Sequence, residues 1–247
     1  MHINSKYGIS IVKNNNCTLR DLKLTRNYLL NPEGSCLVEM GNTHVITTAT
    51  VDHTVPQWLK GRGKGWVTAE YGMLPRSTHT RNRRPSSSQQ TSGRTMEIQR
   101  LIGRALRAVT DLEILGERTI YIDCDVLNAD GGTRVSSIIG AAVSLYDAGT
   151  WLIENGYTDK HIMTELVGAV SVGVLDGKVK VDLCYEEDFA AEVDMNIVMT
   201  ESGEFVEVQG TAEEKTFDRV LLDEMLDSAQ SAIESIISIQ NETLGLK

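Results

Sequence analysis

The 247-residue chain is short of large aromatic side chains, with three Phe and three Trp. Its core must therefore be built from Val, Ile, Leu and Ala, which the 41% hydrophobic content supplies. It also lacks paired cysteines. Cys17, Cys36, Cys124 and Cys184 form no C-x-x-C pair and stand beside no histidine at zinc-ligand spacing. They read as small buried hydrophobes kept reduced. The histidines are scattered too, and His44, His53 and His161 read as core or surface residues rather than ligands. No long apolar run is present. The longest, Leu166 to Leu175, is interrupted by Gly168, Ser171 and Gly173 and falls far short of the roughly 20 residues of a membrane helix. The opening MHINSKYGIS holds no apolar stretch of signal-peptide length. The expectation is a cytoplasmic protein with no membrane partner. With no low-complexity tail, long linker or short-period repeat, residues 1–247 are expected to form a single domain.

A net charge of −10 argues against a nucleic-acid partner until its distribution is read. Residues 60–107 carry eleven Lys/Arg against Glu70 and Glu97, a local charge of +9. The remaining chain carries −19. A basic block on an acidic body can still hold a phosphate backbone.

Periodicity predicts a mixture of hairpins and helices. Ser35–Met40 and His44–Val51 read as a hairpin around Gly41-Asn42-Thr43. Residues 60–93, with Gly61, Gly63, Gly65, Pro75, Pro85 and the polar run Ser86 to Gln90, read as a long irregular loop. Ile98, Leu101, Ile102, Ala105, Val109 and Leu112 then keep helical spacing, and Gly116 marks a stop. Residues 118–126 alternate, with Ile120, Ile122, Cys124 and Val126 on one face of a half-buried strand. A second helix carries the stripe Ile138, Ile139, Ala142, Val143, Tyr146 and Ile153. Asp176-Gly177 joins Leu166–Leu175 to Lys178–Tyr185 as a hairpin. Strands near Met195–Thr200 and Glu204–Gln209 flank Ser202-Gly203, and a helix runs from about Phe217 to Gln240. The order predicts an α+β fold with mixed or antiparallel sheets.

Two loops have the chemistry to hold a phosphate. Gly131-Gly132-Thr133-Arg134 lies between a strand and a helix. Glycines there let backbone N–H groups approach an anion, the helix start adds partial positive charge, and Arg134 offers a fork of donors. The lysine of a nucleotide P-loop is missing, and so is the dinucleotide fingerprint. A plain tight turn with a surface arginine explains the segment equally well. Gly93-Arg94-Thr95 opens the earlier helix in a similar way, or is a simple capping turn. If the two helix starts meet, one phosphate could sit between Arg94, Thr133 and Arg134.

The run Glu186 to Asp194 clusters five carboxylates. Asp188 and Asp194, six apart around Ala190-Ala191, could turn toward one point and hold a divalent cation or supply an acid. The alternative is a solvated acidic loop. Leu74 to Pro85 carries four arginines and almost no apolar residues. Arginine suits forked phosphate recognition, so the segment reads as a backbone-contacting loop or as a solubilising one.

Five stretches resemble the ribonuclease PH family of phosphorolytic exoribonucleases: Gly65–Arg81 (GWVTAEYGMLPRSTHTR), Gly93–Ala108 (GRTMEIQRLIGRALRA), Asp123–Arg134 (DCDVLNADGGTR), Ala190–Met199 (AAEVDMNIVM) and Glu207–Ala212 (EVQGTA). They follow the family's order and spacing over most of the chain. Asn128 departs from it, standing where a glutamine is common, and Arg83 to Ser86 follows no family pattern. The resemblance implies βαβ-type units with mixed sheets and helices packed between them. It implies inorganic phosphate as co-substrate, bound by Arg94, Gly132, Thr133 and Arg134. It implies Asp188 and Asp194 as catalytic residues and as ligands of Mg²⁺ or Mn²⁺. Arg76, Arg81 and Arg84 match arginines that hold tRNA. The implied activity trims tRNA precursors and other structured RNA 3′ ends in the 3′→5′ direction and releases nucleoside 5′-diphosphates; in reverse it adds nucleotides from diphosphates. The implied assembly is a homohexamer, a trimer of dimers.

Overall fold

The computed structural model describes residues 19–84, 92–213 and 215–246. Cys17 and the run Ser86 to Gln90 lie outside them.

Nine strands form two sheets among the described residues. The first has five strands: β1 (Leu22–Arg26), β2 (Gly34–Met40), β3 (Thr43–Asp52), β4 (Trp66–Met73) and β5 (Thr119–Asn128), in the order β1-β2-β3-β5-β4. The β2–β3 hairpin forms as expected, turning on Gly41 at φ +55°. β4 pairs with β5 in parallel, and helix α1 (Gly93–Ala108) makes the crossover, a βαβ unit. The second sheet has the order β7-β6-β8-β9, with β6 (Val167–Leu175), β7 (Lys178–Val181), β8 (Val193–Thr200) and β9 (Phe205–Ala212) all antiparallel. Asp176 and Gly177 both take positive φ in the β6–β7 turn, as a type I′ hairpin turn requires.

Helix α3 (Thr133–Glu154) packs against β2 and β3 of one sheet and β6 of the other. A helix between two sheets has little solvent-facing surface, and fifteen of its 22 residues are buried. Helix α5 (Arg219–Leu244) covers β6 and β7. One apolar core runs through both sheets, from Val38, Ile120 and Ile122 through Ile138 and Leu145 to Val170, Ile197 and Ile236. The fold is α+β, with mixed and antiparallel sheets.

Four expectations are corrected. Residues 60–93 are not irregular throughout: β4 lies inside them, where Val67, Ala69 and Tyr71 alternate toward the core. The glycines on either side obscure that alternation. The helix from Gly93 stops at Ala108, and Leu112 belongs to a separate turn, α2 (Leu112–Leu115), capped by Asp111. Ile153 is not in the buried stripe of α3; the last turn buries Leu152 and leaves Ile153 exposed. The strand after Gly177 ends at Val181, because Asp182 takes φ +57° and turns the chain away.

Candidate active site

The site is built where the two sheets meet. Its centre is the loop between β5 and α3. Gly131 and Gly132 both adopt left-handed backbone, at φ +73° and +65°. A Cβ on Gly131 would lie 2.3 Å from the Leu183 carbonyl oxygen, so only glycine lets this loop approach the second sheet. Gly132 is the N-cap of helix α3 and no side chain caps its first turn, so no side chain occupies the first amides.

Several contacts hold the loop from below. The Thr43 hydroxyl donates to the Gly131 carbonyl at 2.6 Å and accepts from the Asp130 N–H at 3.0 Å. Arg20 donates to the Asp130 carbonyl at 2.6 Å and forks onto Asp182 at 2.6 and 3.0 Å. Asp182 is buried, so the pair joins the segment before β1 to the end of β7 through a desolvated contact. Asp130 also accepts from the Tyr185 N–H at 3.1 Å. Sequence patterning assigned no role to Arg20, Thr43 or Asp182. Their partners are up to 162 residues away, and no local signal marks them.

Arg94, Gly132, Thr133, Arg134, Asp188 and Asp194 line one cavity of about 500 Å³. The two helix starts therefore do meet. They differ in one respect. The first turn of α1 is capped by Ser92, whose hydroxyl accepts from the Thr95 N–H at 3.1 Å, so α1 contributes its Arg94 side chain rather than open amides. Thr133 is held by the Tyr71 hydroxyl at 2.9 Å. Arg134 donates to Gln209 at 3.1 Å, and Gln209 donates to Glu97 at 2.6 Å. Arg104 pairs with Glu207 further along α1. These contacts fasten α1 to β9, and so carry Arg94 and Arg134 to the same opening.

The acidic cluster is not a loop. Residues Tyr185–Ala190 form a short helix, α4, in which Asp188 donates its N–H to the Cys184 carbonyl at 2.9 Å. Glu187 reaches back to accept from the Cys184 N–H at 3.1 Å. Asp188 projects from α4 and Asp194 from β8, and both line the cavity. One oxygen of Asp194 is buried without a hydrogen-bond partner. Burial and the neighbouring Asp188 push the Asp194 carboxyl up to about 6, against the pull of Arg134 and Arg94. Ser171 and Asn196, paired across β6 and β8, floor the same cavity.

The arginine loop folds back on the β5–α3 loop through a bond from the Ala129 N–H to the Ser77 carbonyl at 2.8 Å. Arg76 lines an adjoining cavity of about 530 Å³. Arg81 and Arg84 are exposed and line neither. His79, Asn82 and Tyr185, which patterning passed over, do line the main cavity. No helix among the described residues is long and apolar enough to cross a membrane.

The fold is shared with rice (Oryza sativa) Rrp46, at a TM-score of 0.74 and 18% identity over 92% of this chain and 96% of that one. It is also shared with a chain of the Archaeoglobus fulgidus exosome with RNA bound to the active site, at 0.75 and 19% over 89% and 87%. An archaeal exosome core gives 0.71 and 18% over 92% and 87%. Family models describe the sequence itself: residues 18–150 match domain 1 of the 3′ exoribonuclease family, and residues 165–232 match its domain 2. With both models matched in order around one shared cavity, the chain belongs to the ribonuclease PH family of 3′ exoribonucleases.

Proposed function

We propose that the protein is a phosphate-dependent 3′→5′ exoribonuclease that trims the 3′ ends of tRNA precursors. One observation carries this reading. Two arginines and an uncapped helix start share a cavity with two carboxylates. That combination suits a reaction between two phosphate groups, one free and one esterified. Their mutual repulsion has to be offset before they can meet.

Arg94, Thr133, Arg134 and the amides after Gly132 would hold orthophosphate and orient one of its oxygens. That oxygen attacks the terminal phosphodiester phosphorus. The bond to the 3′ oxygen of the preceding nucleotide breaks, and a nucleoside 5′-diphosphate leaves. The departing oxygen needs a proton. With no cation on it, Asp194, its carboxyl raised to about 6, can hold one at weakly acid pH; this acid role and a metal-ligand role are alternatives. The exchange of a phosphodiester for a diphosphate is nearly balanced, so the reverse addition from nucleoside diphosphates belongs to the same reading.

Asp188 and Asp194 fit a Mg²⁺ or Mn²⁺ ion. The buried, unpartnered oxygen of Asp194 is what a hard cation would satisfy. No group of three or more His, Cys, Asp or Glu suited to a metal occurs among the described residues. Two carboxylates still suffice for an ion that keeps water and phosphate oxygens as its other ligands. Such a cation supplies charge neutralisation on the scissile phosphate. Arg76, Arg81 and Arg84 would contact the RNA backbone. A homohexameric ring, a trimer of dimers in the cytoplasm, completes the reading. Structural relatives that are exosome chains, one with RNA bound to the active site, support an assembled, RNA-binding particle.

The test is incubation of 3′-extended tRNA with and without phosphate. Phosphate-dependent release of nucleoside diphosphates is expected. Continued cleavage to monophosphates in phosphate-free buffer would identify a hydrolase instead. Sedimentation tests the ring, and a monomer at micromolar concentration would exclude it.

A further inference from the structure

We propose that Tyr185 and Phe189 form a stacking platform for unpaired nucleobases at the 3′ end of the RNA. The inference rests on the exoribonuclease reading for the identity of the polymer, and deepens it by saying how the strand is oriented. The two residues sit one turn apart on α4, on one face of the helix. Their rings lie 6.5 Å apart between centroids and 30° from parallel. Phe189 is 84% exposed and Tyr185 52%, so neither ring is used to fill the core. The His79 ring stands 6.4 Å from Tyr185, tilted by 57°. His79 and Tyr185 line both the main cavity and the adjoining one that contains Arg76. His79 and Tyr185 thus mark the rim where the two openings join, and Phe189 extends that surface outward from Tyr185.

The charge around this rim decides which part of a nucleotide can rest there. Helix α4 carries Glu186, Glu187 and Asp188, and of these Glu187 is paired with Lys180. Away from the cation proposed at Asp188, a phosphodiester laid along this face meets like charge. A base does not, because it is neutral and every base has a flat π surface that stacks without regard to identity. The strand would therefore run with its bases toward α4 and its phosphates toward Arg76, Arg94 and Arg134. A base within a duplex has both faces covered by its neighbours. The platform would thus favour single-stranded 3′ ends and release the RNA as a helical stem reaches it.

The test uses the full chain in phosphate-free buffer with a chelator, so that nothing is cleaved. Binding of a short unstructured RNA is compared with binding of the same RNA made abasic near its 3′ end. The abasic change is expected to weaken binding by about 5- to 150-fold per base. Phe189→Ala and Tyr185→Ala should lose a similar factor, and each should be much less sensitive to the abasic change. Phe189→Trp should keep wild-type affinity, whereas Phe189→Leu, apolar but not flat, should not. Equal binding of intact and abasic RNA by the wild type would overturn the proposal. Wild-type affinity in Phe189→Leu would overturn it as well. So would a change in sedimentation on Phe189→Ala with affinity unchanged, because the ring would then serve a contact between copies. Binding here requires neither phosphate nor turnover. Absence of phosphorolysis would strike the reaction assigned to the cavity and leave this measurement standing.

Discussion

Asp194→Asn should make the protein more stable and less active at once. The carboxyl ionises at about 6 in the fold against an ordinary 3.8, because burial and Asp188 disfavour its charge more than Arg134 and Arg94 favour it. Each unit is worth about 1.4 kcal/mol, which sets a ceiling near 3 kcal/mol. The side chain retains some contact with solvent, and screening reduces the figure to about 1–2 kcal/mol. The sign follows from proton binding. Between about pH 4 and 6 the native state keeps a proton that the unfolded chain has released, so stability falls as pH rises through that window. Above pH 6 the whole penalty is present. An amide carries no charge at any of these values, so the variant should lose the slope and gain about 1–2 kcal/mol at pH 8. For a chain of this size that is a rise in Tm of roughly 2–8 °C. The assay is thermal unfolding at pH 4.5, 6 and 8, without phosphate and with a chelator. Adding Mg²⁺ should narrow or reverse the gap, because the wild type gains more from the ion. Turnover of bound tRNA by the variant should be abolished. An unchanged or lowered Tm at pH 8, with the wild-type slope retained, would refute the electrostatic account. Wild-type turnover would remove Asp194 from the chemistry.

Four further outcomes follow from the same geometry. Arg134→Ala should raise the KM for phosphate by about tenfold or more, with RNA affinity held, since a bidentate charge-assisted contact contributes about 1.5–3 kcal/mol; parallel titration and turnover measurements read the two separately. Gly131→Ala should cost about 2–4 kcal/mol in denaturant unfolding, because its Cβ would fall 2.3 Å from the Leu183 carbonyl on a φ of +73°. Arg20→Ala should cost about 3–5 kcal/mol by leaving Asp182 buried and unpaired, and Arg20→Ala with Asp182→Asn should recover part of it. Neutralising Arg76 and Arg81 should lower the slope of log affinity against log salt by about 0.7 for each phosphate of single-stranded RNA that an arginine ceases to neutralise.

Much of this fold was readable in the chain because its signals are local. The alternation of Ile120, Ile122, Cys124 and Val126, the Asp176-Gly177 turn and the spacing of Ile98 to Leu106 each depend on a few neighbours. β4 was hidden because its alternation is short and set among glycines and arginines. The break after Ala108 was hidden because Val109 continues the apolar spacing although it is buried outside the helix. The site divides in the same manner. The glycine pair, Arg94, Arg134 and the two aspartates announce themselves by residue type. Arg20, Thr43, Tyr71 and Gln209 act only through partners far away in sequence, at 2.6–3.1 Å. No periodicity encodes such partners. The exposed pair Tyr185 and Phe189 could have been suspected from their four-residue spacing had the segment been read as a helix rather than as an acidic loop.

The cavity's arginines and its carboxylates belong to opposite halves of the polypeptide. Arg94, Thr133 and Arg134 precede the connection that follows α3, while Asp188 and Asp194 come after it. Severing the backbone near residue 158 would hand each fragment one polarity only, a cationic cup or an anionic wall. Neither fragment could support the reaction by itself. Activity would return only when the fragments rejoined along the line that Arg20 and Asp182 stitch together, which makes regained turnover a direct gauge of their docking.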